Sequence, residues 1–292
     1  SPIHSPPSSS RWNRDFSLRG TGNNPLQFRI MTTPLYTAKT CPQPAYQLNW
    51  SYTLFWHSPP PDETWLEQLK VATEPDGIRV LQHKLTHPAT SQFLISTTPS
   101  VSPMLLVQRL KGRLQYLLRP RITNAFQRNY ALRSVGSANR KAIDAYIAGQ
   151  LEHHPMADAR VAAQFREFQF FDETVDLSEP ARTSHAIYWY NLHIVLVNDG
   201  RYRDIDPKRN EQRCQAIRQI AAKKRHALMR IGLLPDHVHI AIRAALEVTP
   251  QDVVFGYMNN LAYVVGMKPV LKFSYYVGTF GEYDLTVIPR TT

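Results

Sequence analysis

Two stretches, Tyr130-Ala-Leu-Arg-Ser-Val-Gly136 and Tyr275-Tyr-Val-Gly-Thr-Phe-Gly281, read alike: a tyrosine, a mainly apolar run and a closing glycine. Laid on one another, they bring the preceding residues into register as well. Each follows an amphipathic helical stretch, 102–118 in one case and 249–265 in the other. Further back lie two short strands around a turn, 77–85 with 92–97 and 227–233 with 237–243. Before those come polar helix-like segments, 62–72 and 207–225, and before those apolar strands, 48–56 and 188–197. The order strand, helix, strand, strand, helix, strand is the split βαβ pattern. Its two helices cover one face of an antiparallel sheet and leave the other for a ligand or a second layer.

Two copies in register read as an internal duplication. The expected fold is therefore α+β: two fused ferredoxin-like domains, 45–150 and 185–292, forming a pseudo-dimer. A charged connector at 151–184, helical around 158–170, joins them. Residues 1–44, rich in Ser, Pro, Asn and Arg, are expected to be a disordered extension, with Met31 a candidate initiation residue.

A chain of 292 residues can form two ordinary cores. No apolar run approaches the roughly 18 residues of a membrane helix, and the first residues lack a basic-then-apolar leader pattern. Two cysteines, Cys41 and Cys214, argue against a disulfide framework or a zinc site and fit a reducing cytoplasm. The net charge of +11 favours a polyanionic partner. Its placement says more than its size. From Arg109 to Lys141 there are nine Lys/Arg and no Asp/Glu, and 208–230 holds a second dense set. Such blocks of one sign repel unless phosphates neutralise them. Lys111, Arg113, Lys223, Lys224 and Arg225 are the candidate phosphate contacts.

The halves differ in the residues that carry chemistry. His237-Val-His239 stands in the second where Thr90-Ser-Gln92 stands in the first. The first continues past Gly136 into a helical stretch with Tyr146 and Gln150; the second ends at Thr292, before such a helix could form. Residues two apart on a strand share a face, so both imidazoles can approach one divalent ion. Tyr146 and Gln150, four apart on a helix spanning 139–153, also share a face. The Gln oxygen can serve as a third ligand, with the phenol beside the ion. Imidazole and oxygen donors suit Mg²⁺ or Mn²⁺. A phenolate nucleophile beside such an ion suits phosphoryl transfer through a covalent phosphotyrosine.

At these residues a resemblance appears. Leu233-Leu-Pro-Asp-His-Val-His-Ile240 resembles the HUH segment of single-tyrosine transposases of the insertion-sequence 200/605 type and their REP-associated relatives. Ala142-Ile-Asp-Ala-Tyr-Ile-Ala-Gly-Gln150 is similar to that family's tyrosine helix, and Leu110-Lys-Gly-Arg113 to its second-helix signature. The resemblance implies cleavage and rejoining of single-stranded, hairpin-bearing DNA through a 5′-phosphotyrosine. It makes Tyr146 the nucleophile and His237, His239 and Gln150 the metal ligands. A second copy of the chain is a further expected partner. Neither half holds a full set, so only pairing across the halves gives one composite site. The other composite site, with Thr90 and Gln92, would be degenerate.

Blander readings stand beside this one. An isolated H-x-H is usually a pair of ordinary strand histidines, and most helix tyrosines pack their rings. Tyr257 and Tyr263 compete as nucleophiles but do not match the family spacing, and read as packing or stacking residues. His193 reads as a buried, hydrogen-bonded histidine. His153 and His154 read as a solvated helix end, and Asp236 as a residue on the opposite face that orients a loop. Two rival functions follow: a decayed transposase that only binds DNA hairpins, and a tandem ferredoxin-like RNA binder with aromatics exposed on its sheet and no metal.

Overall fold

The computed structural model describes residues 33–281, except Pro155, Val265 and Met267. In chain order the first elements are β1 (Ala45–Gln47), β2 (Asn49–Trp56), α1 (Trp65–Thr73), β3 (Ile78–His87), β4 (Thr90–Thr97), α2 (Pro103–Leu118) and β5 (Phe126–Val135). There follow α3 (Arg140–Ala148), α4 (Gln150–His153), α5 (Ala159–Glu167), β6 (Phe170–Phe171) and β7 (Ala181–Arg182). The last are β8 (Ala186–Trp189), β9 (Asn191–Val197), α6 (Pro207–Lys224), β10 (Ala227–Leu233), β11 (His237–Arg243), α7 (Pro250–Val264) and β12 (Tyr276–Thr279). Among the described residues no helix is long and apolar enough to cross a membrane.

Local chemistry sets the helix starts. Ser102 accepts from the Leu105 N–H at α2, Asn139 from Ala142 N–H at α3, and Asp206 from Arg209 N–H at α6. Pro103 and Pro207 occupy first-turn positions where no N–H is needed. Gly149, at the end of α3, divides the expected single helix 139–153 into α3 and the one-turn α4.

Among the described residues the strands form two mixed six-stranded sheets. One has the order β3-β4-β2-β5-β8-β7 and the other β10 and β11 beside β9 and β12, in full β1-β12-β9-β11-β10-β6. Both contain the same four-strand antiparallel pattern, β3-β4-β2-β5 and β10-β11-β9-β12. The register also matches: Thr53 opposes Gln92 in one, and Val195 opposes His239 in the other. Val238, Ile240 and Ile242 join Ile217, Val254 and Tyr257 of α6 and α7 in the main core, so those helices cover one face of the second sheet.

The edges depart from the expected domain boundaries. β1, at the start of the first expected domain, pairs in parallel with β12 of the second sheet. β8, at the start of the second, pairs in parallel with β5 of the first. The expected connector also enters both sheets, β6 beside β10 and β7 beside β8.

Where the sheets meet, two hydroxyls play the same part. Ser134 Oγ accepts from the Asn191 N–H at 3.1 Å and donates to the Phe280 carbonyl at 2.7 Å. Thr279 Oγ1 accepts from the Asn49 N–H at 2.8 Å and donates to the Val135 carbonyl at 2.7 Å. A Cβ on Gly136 would overlap the Thr279 carbonyl oxygen, and one on Gly281 the Ser134 carbonyl oxygen. Both landmark glycines are therefore explained by close backbone approach.

Residues 34–44 do not follow the expectation of disorder. Tyr36 is buried, its hydroxyl bonds the Leu271 backbone at 2.9 Å, and its backbone N–H donates to Asn259 at 2.8 Å. An aromatic with a satisfied hydroxyl anchors a segment that composition alone marks as loose. The rest of that expected extension lies outside the described residues, as does the chain after Gly281.

Candidate active site

The face of the second sheet opposite α6 and α7 carries His237, His239 and Ala241, alternating with the core residues of β11. Helix α3 packs across β10 and β11 on this face. Ile143 and Ile147 form an apolar cluster with Met229, Ala241 and Phe280. Gly232 makes room, since a Cβ there would collide with the Ile147 side chain. Arg230 of β10 pairs with Asp144 of α3 beside it. A helix made before the connector therefore lies on strands made after it.

That docking brings Tyr146 against the histidines. Its ring stands edge-on to His239 at 5.6 Å and to His193 at 5.9 Å between centroids. The side chain remains about half exposed, at 49% for the residue, so the phenol is open to a ligand. His237 and His239 are both buried, with ring centroids 4.9 Å apart.

Each imidazole has one nitrogen engaged. His237 Nδ1 meets Asp236 Oδ1 at 2.7 Å, and Arg201 holds the other carboxylate oxygen at 3.0 Å. Asp236 thus turns back on its neighbour rather than lying away on the opposite face. A residue in the turn before β11 is free of the strand's alternation. His239 Nδ1 meets His193 Nε2 at 3.0 Å. His239 Nε2 is buried without a hydrogen-bond partner among the described residues.

Burial governs the charge state. It pushes His193 down to about 4. It pushes His239 to about 2, helped by the neighbouring imidazoles. His237 is lowered by burial, against the opposing pull of Asp236. All three are neutral at pH 7, which keeps nitrogen lone pairs available to a cation.

The turn before the histidines is fixed by a buried polar network. Asn198 Nδ2 donates to the Pro235 carbonyl at 2.9 Å and Asp204 N–H to the same oxygen at 2.8 Å. Arg213, buried, donates to Asn198 Oδ1 at 2.7 Å. Satisfied networks of this kind lock a turn in one arrangement.

The other site candidates divide. Gln150 is buried, and its Nε2 donates to the Tyr146 carbonyl at 3.1 Å, which leaves Oε1 outside that bond. His154, expected as part of a solvated helix end, is exposed yet places its ring 5.4 Å from that of His237. Tyr257 is buried in the core on the helix-covered face, bonded to His226 at 3.0 Å. Tyr263 lies on α7 in the same layer.

The expected phosphate contacts are not grouped around the histidines. Lys111 Nζ donates to the Gln127 and Arg128 carbonyls, and Arg113 pairs with Asp76 at 3.2 Å. Helix α6 starts beside the Pro235 turn and runs away for eighteen residues, about 27 Å at 1.5 Å per residue. Lys223, Lys224 and Arg225 close its far end.

Fit to a divalent ion rests on the donors. A neutral imidazole that gives its Nδ1–H to a partner presents Nε2 as a lone pair, and an orphaned buried Nε2 is what His239 presents. Among the described residues no group of three or more His, Cys, Asp or Glu side chains has metal-binding geometry. The candidate set has only two residues of those types, with the Gln150 amide as the third donor.

At the matching place on the first sheet, Gln92 Nε2 donates to Ser51 Oγ at 3.1 Å. The pair satisfies itself, and Thr90 stands where the second sheet has His237.

Sequence comparison matches residues 186–288 to the family model described as "Transposase IS200 like". No curated protein matches the chain. Among solved structures, a candidate transposase from Deinococcus radiodurans R1 is similar at 19% identity, over 36% of this chain and 92% of that one, with a TM-score of 0.29. The matched segment, 186–288, contains the strand that carries His237 and His239 and begins after the helix that carries Tyr146: it is a transposase-like region of the chain.

Proposed function

We propose that this chain is a transposase-like enzyme of the HUH type that nicks and rejoins single-stranded DNA through a tyrosine. The two ferredoxin-like halves act as a tandem-duplicated pseudo-dimer sharing one working site. The supporting observation is the contact of Tyr146, on a helix of the first half, with His239 on a strand of the second, at 5.6 Å.

In this reading the Tyr146 oxygen attacks the scissile phosphorus. The Oη–P bond forms as the P–O3′ bond breaks. The phenol proton passes to solvent, and the departing 3′ oxygen takes up a proton. The 5′ end is left as a phosphotyrosine, which retains the energy of the broken ester for rejoining. His237, His239 and Gln150 would hold Mg²⁺ or Mn²⁺, which supplies charge neutralisation at the phosphate oxygens. His154, exposed beside His237, would be available to the strand as it reached the tyrosine.

The test is covalent trapping. Hairpin-bearing single-stranded DNA and Mn²⁺, incubated with the protein, should give an adduct that survives denaturation and disappears in Tyr146→Phe. An adduct undiminished in that variant removes Tyr146 as nucleophile. Tight hairpin binding with no adduct favours the decayed, binding-only alternative.

A further inference from the structure

The two imidazoles of the pair are held from behind by different partners. Asp236, a carboxylate, sits behind His237 at 2.7 Å. Behind His239 sits another histidine, His193, at 3.0 Å. His193 is buried on β9, a strand closed on both sides by β11 and β12, so it cannot shift to suit its partner. Its ring lies 5.2 Å from that of His239, within 13° of parallel, and 5.9 Å from those of both Tyr146 and Tyr276.

A hydrogen bond between two neutral imidazoles can run either way. If His193 donates, His239 keeps its proton on Nε2, and a buried N–H is left without an acceptor. If His239 donates, its Nε2 is a bare lone pair, and the orphaned position becomes one a cation would fill. Metal-binding histidines recurrently give their other N–H to a fixed acceptor, and Asp236 already stands in that relation to His237.

The first sheet offers an internal control. Ser51 and Gln92 occupy the matching positions and keep a cross-strand hydrogen bond at 3.1 Å. Neither atom of that bond belongs to an imidazole, and the position opposite the bond carries no nitrogen lone pair. The cross-strand link is common to both sheets; the ligating atom it would aim is present in only one.

We propose that His193 is the positioning residue of the site: by accepting the Nδ1–H of His239, it selects the tautomer whose Nε2 faces a divalent cation. The role rests on the reading of His237 and His239 as ligands, and it adds to the set a residue 44 positions before the pair's first member in a different strand.

Two measurements test it. The first uses the unsubstituted, metal-free protein: long-range ¹H–¹⁵N correlation of the histidine rings should find His239 protonated at Nδ1 and bare at Nε2. The second is Mn²⁺ affinity by electron paramagnetic resonance, with thermal melts to confirm folding. His193→Phe keeps the ring but removes the acceptor, and should weaken Mn²⁺ binding about 10–100-fold. His193→Gln, whose Oε1 can reach the place of Nε2, should recover most of that loss. Protonation of His239 at Nε2, or unweakened Mn²⁺ binding by folded His193→Phe, would overturn the role given to His193 alone. Absence of Mn²⁺ binding by the unsubstituted protein, or binding insensitive to His237→Ala and His239→Ala, would overturn the ligand assignment beneath it.

Discussion

On one sheet the face opposite the main helices carries His193, His237 and His239; at matching positions the other sheet carries Ser51, Thr90 and Gln92. Around these sites the scaffold is nearly the same. Strand order repeats, Ser134 and Thr279 bridge the sheets alike, and Gly136 and Gly281 admit the same close backbone approach. Residues that set strand order and contact between the sheets are equivalent on both, while imidazole nitrogens are present on only one. A scaffold position is constrained by packing on every side.

The largest expected effect tests this contrast directly. His237→Ala and His239→Ala should each lower Mn²⁺-dependent adduct formation by about a thousandfold or more, a loss of several kcal/mol of transition-state stabilisation. Thr90→Ala and Gln92→Ala should leave it unchanged on denaturing gels. Equal losses on both sheets would mean that both faces act.

Acid should separate the sheets next. With His193 at about 4 and His239 at about 2, against an ordinary 6.5, the folded protein resists protons that the unfolded chain accepts. The stability gained from these neutral imidazoles is complete above pH 6.5 and falls as pH drops from 6.5 toward 4. The slope should be about 1.4 kcal/mol per pH unit for each imidazole. Urea titrations of metal-free protein at pH 7, 6, 5 and 4.5 should register it, and His193→Gln should remove one imidazole's share of it. Replacing Ser51 or Gln92 should leave the slope alone, since neither titrates.

The glycines should behave as equals. Gly136→Ala and Gly281→Ala each push a methyl into a backbone carbonyl on the neighbouring sheet, and each should cost about 2–3 kcal/mol in denaturant unfolding. A harmless substitution at one and a severe one at the other would break the equivalence of the junction. The smallest effect belongs to the helix that only one face is seen to carry. Arg230→Met should cost about 1 kcal/mol or less of stability, because the half-buried pair with Asp144 fixes α3 rather than the core. Adduct yield should fall with it if α3 placement sets the Tyr146 position.

Much of this was legible before any coordinates. The strands 227–233 and 237–243 read from the sequence are β10 and β11 to the residue, and α2, α6 and α7 fall within one or two residues of their expected bounds. Periodicity and capping residues act within a few positions of themselves, and a sequence displays them in full. Tyr146 could be set beside the histidines because a family likeness joined two distant segments; no local pattern did so.

What escaped was decided by distance through space. Strands β1 and β8 are three and four residues long, and nothing in their own side chains says which sheet they will edge. His193 looked like a core histidine, and it is buried; only the register of β9 against β11 makes it the partner of His239. Lys111 and Arg113 read as candidate phosphate contacts; nothing local in the sequence shows that a carbonyl pair and Asp76 are their partners within the chain. The order and kind of the elements were settled by the chain alone, because helix caps and alternating apolar residues work through near neighbours. Which strand completes which sheet, and which imidazole braces which, was settled only on folding, because those contacts join residues tens to hundreds of positions apart.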